Sequence, residues 1–264
     1  MKTDCESTNI INDSDDDKII IISKKNVRPR IKQQPLNKFY FEDNNIFEIG
    51  VDEVGRGPLF GRVYTAAVIL PKDDSFNHSM MKDSKKFNSK SKMVEVANYI
   101  KQHATSWYVS FEDEKTIDEI NILQATQQSM RNSILEVRKQ YNTKMKEQGK
   151  EERKDYTYNL LIDGNYFIPI TFLNKKTNKI ETIPYKTIEG GDNKYTAIAA
   201  ASILAKVERD KYIQELCFQN PTLGEYYCID SNKGYGAKKH IDGIKEHGIT
   251  IWHRRSFGIC KNYV

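Results

Sequence analysis

The chain reads as an α/β protein, an open sheet of short strands with helices laid against it. Three observations carry this reading. Apolar, strand-like runs at 46–51, 63–70, 107–111 and 158–162 alternate along the chain with stretches of helical period. Two of those runs end in aspartate, Asp52 and Asp163, with glycine close behind. An alanine-rich stretch at 196–210 offers side chains small enough for a helix to lie close on a sheet.

In chain order, residues 1–36 come first, with an acidic run at 13–17, a lone apolar patch at 19–22 and a basic cluster at 24–30. That composition buries little, so a disordered tail is expected, with 37–264 as the folded domain. The basic cluster suits a solvated linker better than a targeting or nucleic-acid-binding tail. The first strand, with Phe47, Ile49 and Val51 alternating, delivers Asp52 and Glu53 to its end and runs into Gly55-Arg56-Gly57-Pro58. Neighbouring side chains on a strand point to opposite faces, so a shared role for the two carboxylates requires the backbone to bend there. Glycines beside an arginine let backbone N–H groups and a guanidinium approach a phosphate or sugar. An acidic surface turn is the plain alternative for these residues alone.

A second, buried strand at 63–70 closes at Pro71. The polar stretch with Asp83-Ser84-Lys85-Lys86 leads to a helix over 89–104 and a third strand over 107–111. Leu123, Met130, Ile134, Val137 and Tyr141 share one face of a long amphipathic helix. Lys144 to Lys154 is almost wholly charged and reads as an exposed loop or helix extension. The fourth strand ends in Asp163-Gly164, and 168–185 patterns as a hairpin. Gly190-Gly191-Asp192 precedes the alanine-rich helix, and a last helix covers 237–247.

Hydrophobic content of 38% suffices for a core, and a net charge of +5 permits a polyanionic partner without demanding one. No run approaches the roughly 18 apolar residues of a membrane span. The start of the chain has no apolar signal segment, so an intracellular, cytoplasmic location is expected, or a nuclear one in a eukaryotic host. Cys5, Cys217, Cys228 and Cys260 are scattered and read as reduced thiols rather than a zinc site. Asp52, Glu53, Asp163 and Asp192 each stand where a strand or loop meets a glycine turn. In open α/β sheets ligands gather at the carboxyl ends of strands, so the four can form an all-oxygen cluster. Such donors suit Mg²⁺ or Mn²⁺, and four unpaired carboxylates need cations between them.

In order, the chain carries Asp-Glu-Val-Gly-Arg-Gly-Pro, Asp-Ser-Lys, Leu-Ile-Asp-Gly-Asn, Gly-Gly-Asp, Ala-Ala-Ala-Ser-Ile-Leu-Ala-Lys-Val-x-Arg-Asp, Gly-Tyr-Gly and His-Arg-Arg-Ser-Phe. Over 46–257 this succession resembles type 2 ribonuclease H, ribonuclease HII. The resemblance implies a ribonuclease H-like fold, a mixed central sheet flanked by helices with a C-terminal helical cap. It implies metal-dependent endonucleolysis of RNA in RNA/DNA hybrids and incision of duplex DNA at embedded ribonucleotides, leaving 5′-phosphate and 3′-hydroxyl ends. Asp52, Glu53, Asp163 and Asp192 match the family's catalytic, metal-binding carboxylates, with two ions implied. Gly55, Arg56, Gly57 and Tyr235 match the residues that recognise the RNA–DNA junction. Lys85, Ser202 and Lys206 are further candidate substrate contacts, and Asp210 is expected as a structural partner at a helix end.

The hairpin and the charged 144–154 segment read as insertions that touch no motif, and the tail has no family counterpart. No C-terminal extension suited to docking on a sliding clamp is seen, and the protein is expected to act as a monomer. Type 3 enzymes share the fold but lack an arginine between the turn glycines, so Arg56 favours type 2. The competing readings are an inactive nucleic-acid-binding module, which would have lost a carboxylate, and a DNA-directed nuclease, which has no use for Gly55-Arg56-Gly57 with Tyr235.

Overall fold

The computed structural model describes residues 34–43, 45–87, 89–149, 157–174 and 177–264. The expected tail lies outside them up to residue 33, as do residues 150–156 of the charged segment. Leu36, assigned to the tail from sequence, instead packs against a buried cluster. From Pro35 onward the chain forms one unit.

Its centre is a five-stranded mixed sheet. β1 (Phe47–Val54) pairs antiparallel with β2 (Val63–Ile69), and β2 pairs antiparallel with β3 (Ser106–Glu112). On its other side β1 runs parallel to β4 (Tyr158–Asp163), which runs parallel to β7 (Tyr185–Ile188). β1 and β4 therefore end at the same side of the sheet.

The period of two sorts the strand residues between the faces. Ile49, Val51, Ala67, Ile69, Leu160 and Ile162 pack against Met130, Ile134, Val137 and Tyr141 of α2 (Glu114–Glu147). The stripe read from sequence thus forms that core, although Leu123 does not join it. Asn121 (φ 67°) breaks α2 near its start, and its side chain caps the resumed helix by accepting from the N–H of Leu123 at 2.9 Å. On the opposite face Ala66 and Val68 meet α1 (Lys90–His103) and the alanine-rich α3 (Thr196–Gln219). α3 lies so close that a Cβ on Gly50 would stand 2.2 Å from the Ala197 carbonyl carbon. Glycine at 50 is a condition of that packing.

The crossover from β4 to β7 is a separate hairpin, β5 (Thr171–Asn174) with β6 (Lys179–Thr182), anchored by Phe167, Ile170 and Ile183 in the α2-side core. The charged segment proves to be helix as far as Glu147. Three helices close the C-terminal part, α4 (Thr222–Tyr227), α5 (Ile229–Asn232) and α6 (Lys238–His247). They enclose a smaller core in which Phe60, from the loop after β1, packs with Ile213, Tyr227 and Ile244. No helix among the described residues is long and apolar enough to cross a membrane.

Candidate active site

The first correction concerns β1. Its ladder with β2 continues to Val54↔Tyr64, so the strand does not bend at Asp52 and Glu53 as the sequence reading required. The turn comes later, at Gly55 with φ 91°. Asp52 shares the α3 face with Gly50, where the Ser202 hydroxyl donates to it and the Glu53 N–H donates at 2.7 Å. Asp163 ends the adjacent parallel strand, one step past the Val51↔Ile162 pair. Its Oδ1 accepts from the Gly191 N–H at 2.6 Å, which draws the Gly190-Gly191-Asp192 loop over the strand ends.

Burial pushes Asp52 well above the usual carboxylate range, and the charges of Glu53 and Asp163 push it further. Burial also raises Glu53, opposed by Arg56, whose Nη1 lies 3.4 Å from Glu53 Oε1, and reinforced by Asp163. Asp192 is raised by burial and by the charges of Asp83 and Asp163. The four carboxylates are therefore electrostatic neighbours, with Asp163 common to the other three. They are not a ready-made cluster: among the described residues no three His, Cys, Asp or Glu side chains converge on one point. Glu53 turns to Arg56 and Asp163 to the Gly191 amide, which holds the oxygens apart. No Lys or Arg among the described residues forms an ion pair with Asp52, Asp163 or Asp192, so the site carries excess negative charge.

The other candidates divide. Tyr235 comes to the Gly55-Arg56-Gly57 turn: a Cβ on Gly57 would sit 3.7 Å from its ring, and the ring is 47% exposed. Lys85 lies on a short 3-10 helix, Ser84–Lys86, capped by Asp83, and its charge reaches Asp192. Ser202 is buried beside Asp52, 3.1 Å from the Ser84 hydroxyl, and so serves a carboxylate. Lys206 is engaged inside the protein, donating to Asp210 at 2.6 Å. Asp210 has a structural partner but stands at no helix end, because α3 continues to Gln219.

Sequence reasoning passed over three charged residues. Arg254, fully buried, donates from Nη2 to the Gly55 carbonyl at 2.6 Å, from Nη1 to the carbonyls of Arg56 (3.0 Å) and Pro58 (2.9 Å), and from Nε to that of Gly61 (2.8 Å). Arg209, also fully buried, donates to the Arg62 and Lys233 carbonyls and stands against Gly55, where a Cβ would lie 2.4 Å from its Nε. Together they fasten the turn to the Tyr235 loop, a join completed by the Leu59 N–H donating to the Gly234 carbonyl at 2.8 Å. Asp83 is a fifth carboxylate at the rim. All three stand inside the motifs Asp-Ser-Lys, Val-x-Arg-Asp and His-Arg-Arg-Ser-Phe, but no local pattern states what they touch.

A mixed sheet bearing acidic residues near the ends of two adjacent parallel strands, beside a glycine-rich turn and a tyrosine loop, is the arrangement expected of a ribonuclease H. The fold agrees with that of the ribonuclease H2 from Pyrococcus horikoshii OT3, at TM-score 0.54 and 20% identity over 83% of this chain and 97% of that one. It agrees too with Bst-RNase HIII, solved in complex with Mn2+, at TM-score 0.50 and 16% identity over 76% of this chain and 70% of that one. The family described as Ribonuclease HII matches residues 49–260. The Ribonuclease HII of Bacteroides thetaiotaomicron is 40% identical over 219 residues, 82% of this chain and 92% of that protein. The chain belongs to the ribonuclease HII family, and it is an endoribonuclease that degrades RNA in RNA/DNA hybrids.

Proposed function

We propose that this enzyme also incises duplex DNA at embedded ribonucleotides and works through divalent cations, Mg²⁺ or Mn²⁺, held by Asp52, Glu53, Asp163 and Asp192. The observation that carries the reading is that Asp52, Asp163 and Asp192, none of them ion-paired among the described residues, are electrostatic neighbours beside a turn fitted to a nucleic-acid backbone. The donor set is all oxygen, as hard divalent cations require. When bound there, such ions supply a nucleophilic water at neutral pH and offset charge during in-line displacement at phosphorus. The products are then a 5′-phosphate and a 3′-hydroxyl.

The chain's own groups do the rest. Ser202 and the Glu53 amide orient Asp52, and the Gly191 amide orients Asp163. RNA differs from DNA locally by its 2′-hydroxyl, so recognition requires backbone groups placed against that sugar. Gly55 and Gly57 leave the turn backbone bare enough for this, and the half-exposed Arg56 can exchange its ion pair with Glu53 for a phosphate. Tyr235 offers an aromatic face to the next sugar. Lys85 adds positive charge at the Asp192 edge.

The test is cleavage of one duplex carrying a single ribonucleotide, against its all-DNA twin, with and without Mg²⁺. Metal-dependent incision of the first alone supports the reading. Cutting of the all-DNA twin, or cutting in chelator, would refute it.

A further inference from the structure

We infer that the buried His240–His253 pair is a positioning device for Tyr235: it holds the carbonyl of that residue through a hydrogen-bond chain of fixed direction. The inference rests on reading Tyr235 as a junction contact.

The chain begins and ends on backbone groups, whose polarity is not open to choice. His240 Nδ1 lies 2.9 Å from the Tyr235 carbonyl, which only accepts, so Nδ1 carries the proton. A neutral imidazole has one N–H, which leaves His240 Nε2 bare. It lies 3.1 Å from His253 Nε2, which must therefore donate. His253 Nδ1 is then bare, and it accepts from the Thr250 N–H and the Thr250 hydroxyl, each at 2.9 Å. One tautomer assignment satisfies all four ring nitrogens, and the reverse would set the Thr250 N–H against another N–H.

Both rings are buried, at 0% and 1% exposure, and His240 stands in the first turn of α6 while His253 forms a β-bridge with Phe60 of the loop after β1. Phe60 presents its ring edge-on to His253, with centroids 5.1 Å apart. The pair thus ties the Tyr235 loop to the segment carrying the Gly55-Arg56-Gly57 turn. Leu59 already holds the Gly234 carbonyl, and the pair adds a second anchor one residue on, at Tyr235 itself. The carbonyl also accepts from the Ala237 N–H at 2.7 Å, a local bond that does not connect it to the turn. A proton added to either ring breaks the chain, by setting two N–H groups face to face or by removing the acceptor for Thr250. The titratable group facing both rings is Tyr227 of α4, with Phe60 apolar on the other side, and the neighbouring Arg254 guanidinium is directed at the turn carbonyls.

The experiment has two arms. In the unaltered chain, side-chain ¹⁵N NMR near neutral pH is expected to find His240 protonated on Nδ1 and His253 on Nε2, both neutral. A proton on His240 Nε2, or a cationic ring, overturns the inference. In the second arm, kcat and KM are measured separately for a single-ribonucleotide duplex and a uniform hybrid, with melting temperatures, for Tyr235→Ala, His240→Phe and His240→Asn. His240→Phe removes the donor to the carbonyl and is expected to lower the ratio of kcat/KM values by roughly three- to ten-fold, the worth of one hydrogen bond. His240→Asn keeps an N–H at the Nδ1 position and is expected to restore most of the ratio. A folded His240→Phe with an unchanged ratio, beside a Tyr235→Ala that shifts it, overturns the inference alone. So does a folded His240→Asn that shifts the ratio as far as Tyr235→Ala. An unchanged ratio in Tyr235→Ala removes the junction reading itself, and the inference with it.

Discussion

The Arg254 Nη2 group lies 2.6 Å from the Gly55 carbonyl, across 199 residues of sequence. With three more carbonyls of the same turn on its other hydrogens, this side chain is the mould in which the turn is cast. Arg254→Lys keeps the charge but not the planar fork, so it leaves buried carbonyls unpaired at about 1–3 kcal/mol each. The expected result is a melting temperature lowered by roughly 2–12 °C for each carbonyl left unpaired, taking about 2–4 °C per kcal/mol for a chain of this size. Activity should fall further than that of a control variant destabilised to the same degree elsewhere in the core. A Lys variant with wild-type melting and turnover would show that the turn holds its shape unaided.

On the proposed reading Asp52 contributes function at the expense of stability. It is buried among like charges and its hydrogen bonds do not offset that burial, so Asp52→Asn should melt at or above the wild-type temperature in chelator. The same variant should lose cleavage at saturating Mg²⁺, and Asp163→Asn likewise. Asp192, less deeply placed, should give the milder loss. Turnover retained in Asp52→Asn would remove it from the catalytic set.

Tyr235→Ala should lose roughly ten- to a hundred-fold in kcat/KM on a single embedded ribonucleotide, since an aromatic face on a nucleotide is worth about 1–3 kcal/mol. Tyr235→Phe should keep most of it. The ring is 47% exposed, so neither change should lower the melting temperature appreciably. Equal losses on both substrates with a lowered melting temperature would identify a structural tyrosine instead.

Acid should destabilise the fold through the buried histidines. Burial, with the neighbouring His240, lowers His253 to about 3, and burial lowers His240 as well. Above the ordinary histidine pKa of about 6.5 neither folded nor unfolded chain binds a proton there, so their effect is flat. As pH falls below that value the unfolded chain takes up protons that the folded chain refuses, and stability drops by about 1.4 kcal/mol per pH unit per histidine, continuing for His253 down to about pH 3. Urea melts from pH 7 to pH 4.5 on the wild type and His253→Gln would measure this, and the variant should show a shallower slope. An equal slope in both would mean that other groups set the acid limit.

Binding should weaken log-linearly with salt, in proportion to the phosphates neutralised, and depend little on the bases flanking the ribonucleotide. Titrations of a catalytically silenced variant at several salt concentrations, on two flanking sequences, would check both. A strong base preference at constant salt would contradict a reader of sugar and phosphate.

What could be read from the sequence was what local chemistry writes into it. Phe47, Ile49 and Val51 alternate along β1 and Leu160 to Ile162 form a continuous apolar run, so both strands were visible, and with them Asp52 near the end of one and Asp163 at the end of the other. The spacing of Met130, Ile134 and Val137 is the helix period, and it named the core face of α2 before any partner was known. Tertiary structure decided the rest. The ladder with β2 carries β1 straight through Glu53, because strand length is set by the pairing partner, which a single strand does not record. The parallel pairing of β1 with β4, rather than a bend, makes Asp163 an electrostatic neighbour of Asp52 and Glu53, since register between distant strands has no local signature. Lys206 and Asp210 found each other in the middle of a helix whose true length depends on what packs against it. Arg209 and Arg254 look like ordinary charges in sequence and are buried donors in the fold, because burial is a property of everything around a residue. The His240–His253 chain exists because two loops close on each other, and its direction was fixed by a carbonyl and an amide that no side-chain pattern reveals.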